Sequence, residues 1–156
     1  MSVTSATLAV RPIEVRDAQR WRELWDGYCA FYERAPDEPV ARHTWERIVD
    51  PAALVYAIVA EREGDGVVGI ANYLVHENTA TLQPVCYLQD LFVDPARRSA
   101  GAGKALIDWL VVEMKARRWS RLYWNTRESN SRARALYDKY VPESGFVRYV
   151  IANRAT

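Results

Sequence analysis

The chain is poor in the residues that most often announce chemistry. Its 156 residues include two cysteines, Cys29 and Cys86. That is too few for a disulfide framework or a thiolate zinc site, and it suits a reducing compartment, the cytoplasm. The two histidines, His43 and His76, stand far apart without ligand-like spacing, so no metal site is expected. The net charge of +1 lacks the basic surplus of a dedicated nucleic-acid binder. No apolar run approaches the roughly 20 residues of a membrane helix. The opening "MSVTSATLAV" has neither the basic start nor the apolar core of a signal peptide. Repeats, low-complexity tracts and linkers are missing as well. The expectation is one soluble domain over residues 1–156, with 49% hydrophobic residues to build its core.

What is present is alternation between strand-like and helix-like segments. "TLAVRPIEV" reads as a strand. Asp17 is placed to cap a helix to about Tyr32, on which Trp21, Leu24, Trp25, Tyr28 and Tyr32 form an aromatic stripe of core type. A second helix is expected over 39–49. "ALVYAIVAERE" and "GVVGIANYLVHE" read as strands joined by a hairpin through Asp65-Gly66. "PVCYLQDLFVD" is the next strand, and the helix after Gly103 buries Ile107, Leu110, Val111 and Met114. "SRLYWNT" reads as a strand, Asn130 or Ser131 caps a helix through Tyr140, and "GFVRYVIA" reads as a last strand. The class is mixed α/β, with a strand–helix–strand crossover at 86–126 that should be parallel.

The stretch "DPARRSAGAGKAL" sets small residues and cations where a helix begins. Unpaired N–H groups at a helix start bind anions, phosphate above all, and glycine lets a ligand approach the backbone. Two familiar phosphate loops fail here. Arg98 stands at the first glycine of the Walker pattern and Ala105 at its Ser or Thr, while Leu106 replaces the third glycine of the dinucleotide pattern. What remains is Arg98-x-x-Gly101-x-Gly103, with Lys104 beside it.

"LQDLFVDPARRSAGAGKALIDWL" followed by "NTRESNSRARALYDKYVPESGF" resembles the GCN5-related N-acetyltransferase (GNAT) family. The family pattern is L-x-V-x-P, then R/Q-x-x-G-x-G/A, then N-x-x-A-x-x-x-Y and G-F. It is met by Leu91, Val93 and Pro95; Arg98, Gly101 and Gly103; Asn130, Ala133 and Tyr137; Gly145 and Phe146. The match covers residues 86–150, and the branch it most resembles acetylates polyamines, other small amines or histones. Ser99 replaces a usual glycine, "YDKYVPESGF" is longer than the common form, and Gln89 stands where diamine acetyltransferases carry Glu.

The resemblance implies a mixed, mostly antiparallel sheet with a splayed parallel strand pair, and acetyl-CoA as acetyl donor. It places the CoA pyrophosphate on backbone N–H groups of Ser99, Ala100, Gly101, Ala102, Gly103 and Lys104, with Arg98 adding positive charge at the cofactor. The pantetheine arm would lie along Leu91, Phe92 and Val93 as an added strand. Asn130 and Ala133 would complete the cofactor site. Tyr137 is the candidate acid for the departing thiolate, since a tyrosine pKa near 10 exceeds that of a thiol near 8.5. Tyr28, Glu33, Gln89 and Asp90 are candidates for the acceptor site, with Asp90, the acidic run "YERAPDEP" or ordered water as base. A homodimer is also implied, and six Trp and nine Tyr are compatible with an interface. The implied acceptor is a small-molecule primary amine. A protein lysine or N-terminal amine, an antibiotic amine, and a non-catalytic acyl-CoA sensor stay open as alternatives.

Overall fold

The computed structural model describes residues 6–97 and 101–153. They form two compact units, the first through Trp124 and the second from Asn125.

The first unit is a five-stranded sheet in sequence order, β1 (Leu8–Pro12), β2 (Val55–Arg62), β3 (Gly66–His76), β4 (Val85–Val93) and β5 (Leu122–Tyr123). The first four strands pair antiparallel, and β4 pairs parallel with β5. The parallel pair and the flanking helices meet the sequence expectation. The β2–β3 hairpin turns at residues 63–65, one step before the expected centre, with left-handed Gly64 and Gly66 on either side of Asp65.

Helices α1 (Ala18–Phe31) and α2 (Glu38–Val49) cover one face. Trp21, Leu24, Trp25 and Tyr28 of the expected stripe are buried there with Ile70 and Phe92 of the sheet. Helix α2 starts where Asp37 accepts from the Val40 N–H at 3.1 Å. Asp17 occupies the N-cap position of α1, but its carboxylate accepts from both Arg11 Nη atoms at 2.8 and 3.0 Å instead of capping the helix. Gly27 sets how closely α1 meets β4, since a Cβ there would lie 2.7 Å from Phe92 Cε1. Helix α3 (Ala102–Ala116) buries Leu106, Ile107 and Leu110, while Val111 and Met114 are only half-buried.

The second unit holds α4 (Ser131–Tyr137), which ends three residues before the expected Tyr140. The expected last strand over "GFVRYVIA" is not formed: residues 145–152 carry no strand, and Phe146, Tyr149 and Ile151 are almost fully exposed. β-Propensity describes a fit to a half-buried pleated surface. Without a neighbouring strand to complete the hydrogen-bond ladder it does not produce one. Similarly, only Leu122 and Tyr123 of "SRLYWNT" pair.

Candidate active site

The site is built on β4. Its ladder with β3 pairs Asn72 with Asp90 and Tyr73 with Leu88, so Gln89 is the extra residue of a β-bulge. Residues paired across a ladder share a face. The bulge therefore turns Leu88 toward the α3 side with Tyr73, and Asp90 and Phe92 toward α1 with Asn72 and Ile70. Gln89 is left exposed and Asp90 is buried.

The same register decides where the β4 backbone points. The Asp94 N–H donates to Val68 O on β3 at 2.8 Å, and Phe92 O lies 3.3 Å from where a Cβ on Gly69 would stand. Phe92 and Asp94 thus turn their backbone groups to β3, and by alternation Leu91 and Val93 turn theirs to the other side. On that side β5 pairs only with Cys86 and Tyr87. Among the described residues, Leu88–Val93 have no strand neighbour beyond that point. The ladder ends there, which leaves the N–H and C=O groups of Leu91 and Val93 without a strand partner on that side among the described residues. The Phe92 side chain packs on α1, so of the three residues expected there its contribution is to the core.

At the end of β4 the chain turns into α3. Gly101 is the N-cap residue with φ 81°, and its carbonyl accepts the first helical bond from Ala105 at 2.9 Å. A Cβ at Gly101 would meet nothing within 4 Å. The left-handed backbone favours glycine, and it is the conformation, not a clash at Cβ, that does so. The N–H groups of Ala102, Gly103 and Lys104 have no intrahelical acceptor. An anion such as pyrophosphate fits this arrangement. The Lys104 side chain pairs with Asp108 at 2.6 Å. Arg98, Ser99 and Ala100, expected in the same loop, lie outside the described residues.

Beneath β4 runs a buried polar chain that sequence reading missed. Trp21 Nε1 donates to Asn72 Oδ1 at 3.1 Å, Asn72 Nδ2 donates to Asp90 Oδ2 at 3.1 Å, and the Tyr28 hydroxyl donates to the Asp90 carboxylate. Burial pushes the Asp90 carboxyl above the usual carboxylate range, opposed by the bonds from Asn72 and Tyr28 and by the charge of Arg34. Burial, then the Asp90 charge, raises Tyr28 as well, so it stays a proton donor. Trp21, Tyr28 and Asp90 were each named from the sequence, but their connection through Asn72 depends on the bulge.

The raised Asp90 pKa has a defined sign. Its contribution to stability is fully present below the unfolded value near 3.9 and is lost as pH rises through the folded value. Measured by urea unfolding, wild-type stability relative to Asp90→Asn should fall as pH rises above the ordinary carboxylate range. A difference independent of pH would show that the carboxyl is not raised.

Glu33 follows α1 at φ 56°, exposed and pointing from a helix end. In the second unit Asn130 caps α4. Its Oδ1 accepts from the Ala133 N–H at 3.4 Å and its Nδ2 donates to Thr126 Oγ1 at 3.1 Å. Tyr137 is the last residue of that helix. Cys29 and Cys86 are both free and buried. Among the described residues no group of three His, Cys, Asp or Glu is placed to hold a metal ion. No described helix is long and apolar enough to cross a membrane.

The acetyltransferase (GNAT) family model matches residues 19–141. The chain belongs to that family. It is 30% identical over 143 residues to the D-amino-acid N-acetyltransferase HPA3 of Saccharomyces cerevisiae, covering 91% of this chain and 89% of that protein. Its fold is shared with a ribosomal-protein-alanine N-acetyltransferase from Brucella melitensis biovar Abortus 2308, at 24% identity and TM-score 0.76 over 94% of this chain and 100% of that one. It is also shared with the aminoglycoside N-acetyltransferase AAC(6')-Iy in complex with CoA, at 17% identity and TM-score 0.81 over 99% of each chain. The protein is accordingly an acetyl-CoA-dependent N-acetyltransferase. The β4 edge beyond the β5 ladder and the left-handed turn at Gly101 are the parts of this chain that fit such a donor.

Proposed function

We propose that this chain, acting as one N-acetyltransferase domain, moves the acetyl group of acetyl-CoA to the primary amine of a small molecule. Transfer is direct, within a complex of both substrates. The observation that carries this reading is the free β4 edge at Leu91 and Val93 running into the α3 N-terminus at Gly101. Acetyl-CoA supplies an activated thioester. Leu91 and Val93 bind its amide-bearing arm through their backbone, with one N–H positioned to donate to the thioester carbonyl. Residues 98–104 take the pyrophosphate, and the family pattern assigns Asn130 and Ala133 to the cofactor as well. Tyr137 gives its hydroxyl proton to the departing thiolate. Gln89 is an amide and takes no proton. Asp90 already accepts from two donors and is buried, so the proton lost by the amine passes to ordered water. The yeast relative named for acetylating D-amino acids supports a small amine as acceptor. Release of free thiol from acetyl-CoA, scored across polyamines, amino acids, aminoglycosides and lysine peptides, tests the reading. Turnover with the peptides alone would replace it by a protein-directed activity.

The reading includes a cytoplasmic location, supported by two free cysteines, with neither nucleic acid nor membrane as partner. It also includes a homodimer, supported by the apolar, β-prone and exposed segment around Phe146, Tyr149 and Ile151. Solvent-exposed apolar runs of this kind mark interaction surfaces. Light scattering at high protein concentration should give twice the 17.9 kDa chain mass. A monomer there removes the dimer.

A further inference from the structure

Helix α1 ends in a Schellman motif. The Glu33 N–H donates to Ala30 O at 3.0 Å and the Arg34 N–H to Cys29 O at 2.9 Å, with Glu33 left-handed at φ 56°. A non-glycine residue in that conformation is uncommon. The two bonds fix the Arg34 backbone where the helix stops, and its side chain folds back over the aromatic stripe. The guanidinium carbon lies 5.6 Å from the Trp25 ring centroid and 5.3 Å from that of Tyr28. Tyr28 is in turn 4.9 Å from Tyr32.

Two carboxylates of this region, Asp26 and Glu38, belong to a different arginine. Arg22 pairs with Asp26 at 2.8 Å and with Glu38 at 2.6 Å. Arg34 has no ion pair among the described residues, although its side chain is held by two rings at a solvent-facing position. A guanidinium resting on aromatic faces keeps its N–H donors at the edge, in the fork that matches a planar carboxylate. Below it, Tyr28 connects to Asp90, and Asp90 precedes Leu91 on the cofactor edge of β4.

We propose that Arg34 anchors the carboxylate of the acceptor, and that the acceptor is a small α-amino acid and not a polyamine or other plain amine. Trp25, Tyr28 and Tyr32 position the guanidinium, and Tyr32 offers apolar surface to the amino-acid side chain. The amine of such a molecule is two bonds from its carboxylate carbon, which holds it between Arg34 and the β4 edge. The inference rests on the N-acetyltransferase reading of that edge.

Matched acceptors separate the possibilities: phenylalanine, as both enantiomers, against 2-phenylethylamine, and lysine against 1,5-diaminopentane. Each is titrated calorimetrically into CoA-saturated protein and assayed for thiol release from acetyl-CoA. Wild type should bind and use at least one amino acid of each pair more than about tenfold better than its decarboxylated partner, as charge-assisted hydrogen bonds provide. Arg34→Ala should remove that preference through KM, leaving the members of a pair alike. Arg34→Lys, which keeps the charge without the fork, should restore only part of it. Equal binding of paired acceptors by wild type, or an Arg34→Ala loss that falls equally on both members, overturns the inference. Thiol release with plain amines and no carboxylate preference leaves the N-acetyltransferase reading standing while this inference falls. Arg34-dependent binding of amino acids without any thiol release does the reverse.

Discussion

Gly101→Asp is expected to abolish acetyl-CoA binding while Gly101→Asn retains most of it. The two variants share size and shape. Both sit at φ 81°, a conformation that Asn and Asp tolerate better than other non-glycine residues. Both begin in open space, since a Cβ at this position has nothing within 4 Å. They differ by one negative charge at the mouth of the α3 N-terminus. At about 5 Å and an effective dielectric near 20, each unit of phosphate charge is repelled by about 3 kcal/mol. That amounts to at least roughly a hundredfold in affinity. Calorimetry with acetyl-CoA, beside circular dichroism to establish folding, reads the difference directly. Equal affinities for the two variants would place the pyrophosphate away from Gly101 and undo the assignment of the loop.

Tyr137→Phe is expected to lower kcat by about 100-fold, the scale of a positioned general acid. The ring and its packing at the end of α4 are kept, and only the hydroxyl proton is lost. Affinity for acetyl-CoA should hold, because the proton is needed as the thiolate leaves and not when the thioester binds. The effect should therefore appear equally in kcat and kcat/KM. A near-normal kcat with a good acceptor would return Tyr137 to an ordinary helix residue and leave thiolate protonation to solvent.

The parts of the site legible beforehand are those that depend on the backbone alone. Gly101 and the N-terminus of α3 could be read because a left-handed turn before a helix favours glycine and small neighbours whatever surrounds it. Leu91, Phe92 and Val93 came from the family resemblance, and only the register of the ladder sorts the Phe92 side chain to the core from Leu91 and Val93 at the edge. The acceptor side was not legible in the same way. The bulge at Gln89 is a property of how β4 pairs with β3, and it alone decides that Asp90 meets Asn72 and Tyr28. Arg34 looks like one cation in a polar loop until the Schellman turn folds it over Trp25. Gly27 reads as a flaw in a helix until the Phe92 ring is found against it. The segment at 145–152 has strand composition, yet a strand exists only when another edge completes its ladder.

The short β4–β5 ladder has a consequence for handling the protein. A sheet edge with unpaired amides is a template for any extended chain, and proteins usually blunt such edges with charge, proline or a covering element. On the proposed reading the Leu91 and Val93 edge is left without a strand partner so that it can accept a ligand. An edge kept open in this way would be an aggregation hazard in the place where the protein works. CoA bound at that edge would fill the gap and also stabilise the native state by mass action, about 2.7 kcal/mol at a hundred times its Kd. The co-substrate would then double as the missing strand that keeps neighbouring chains apart.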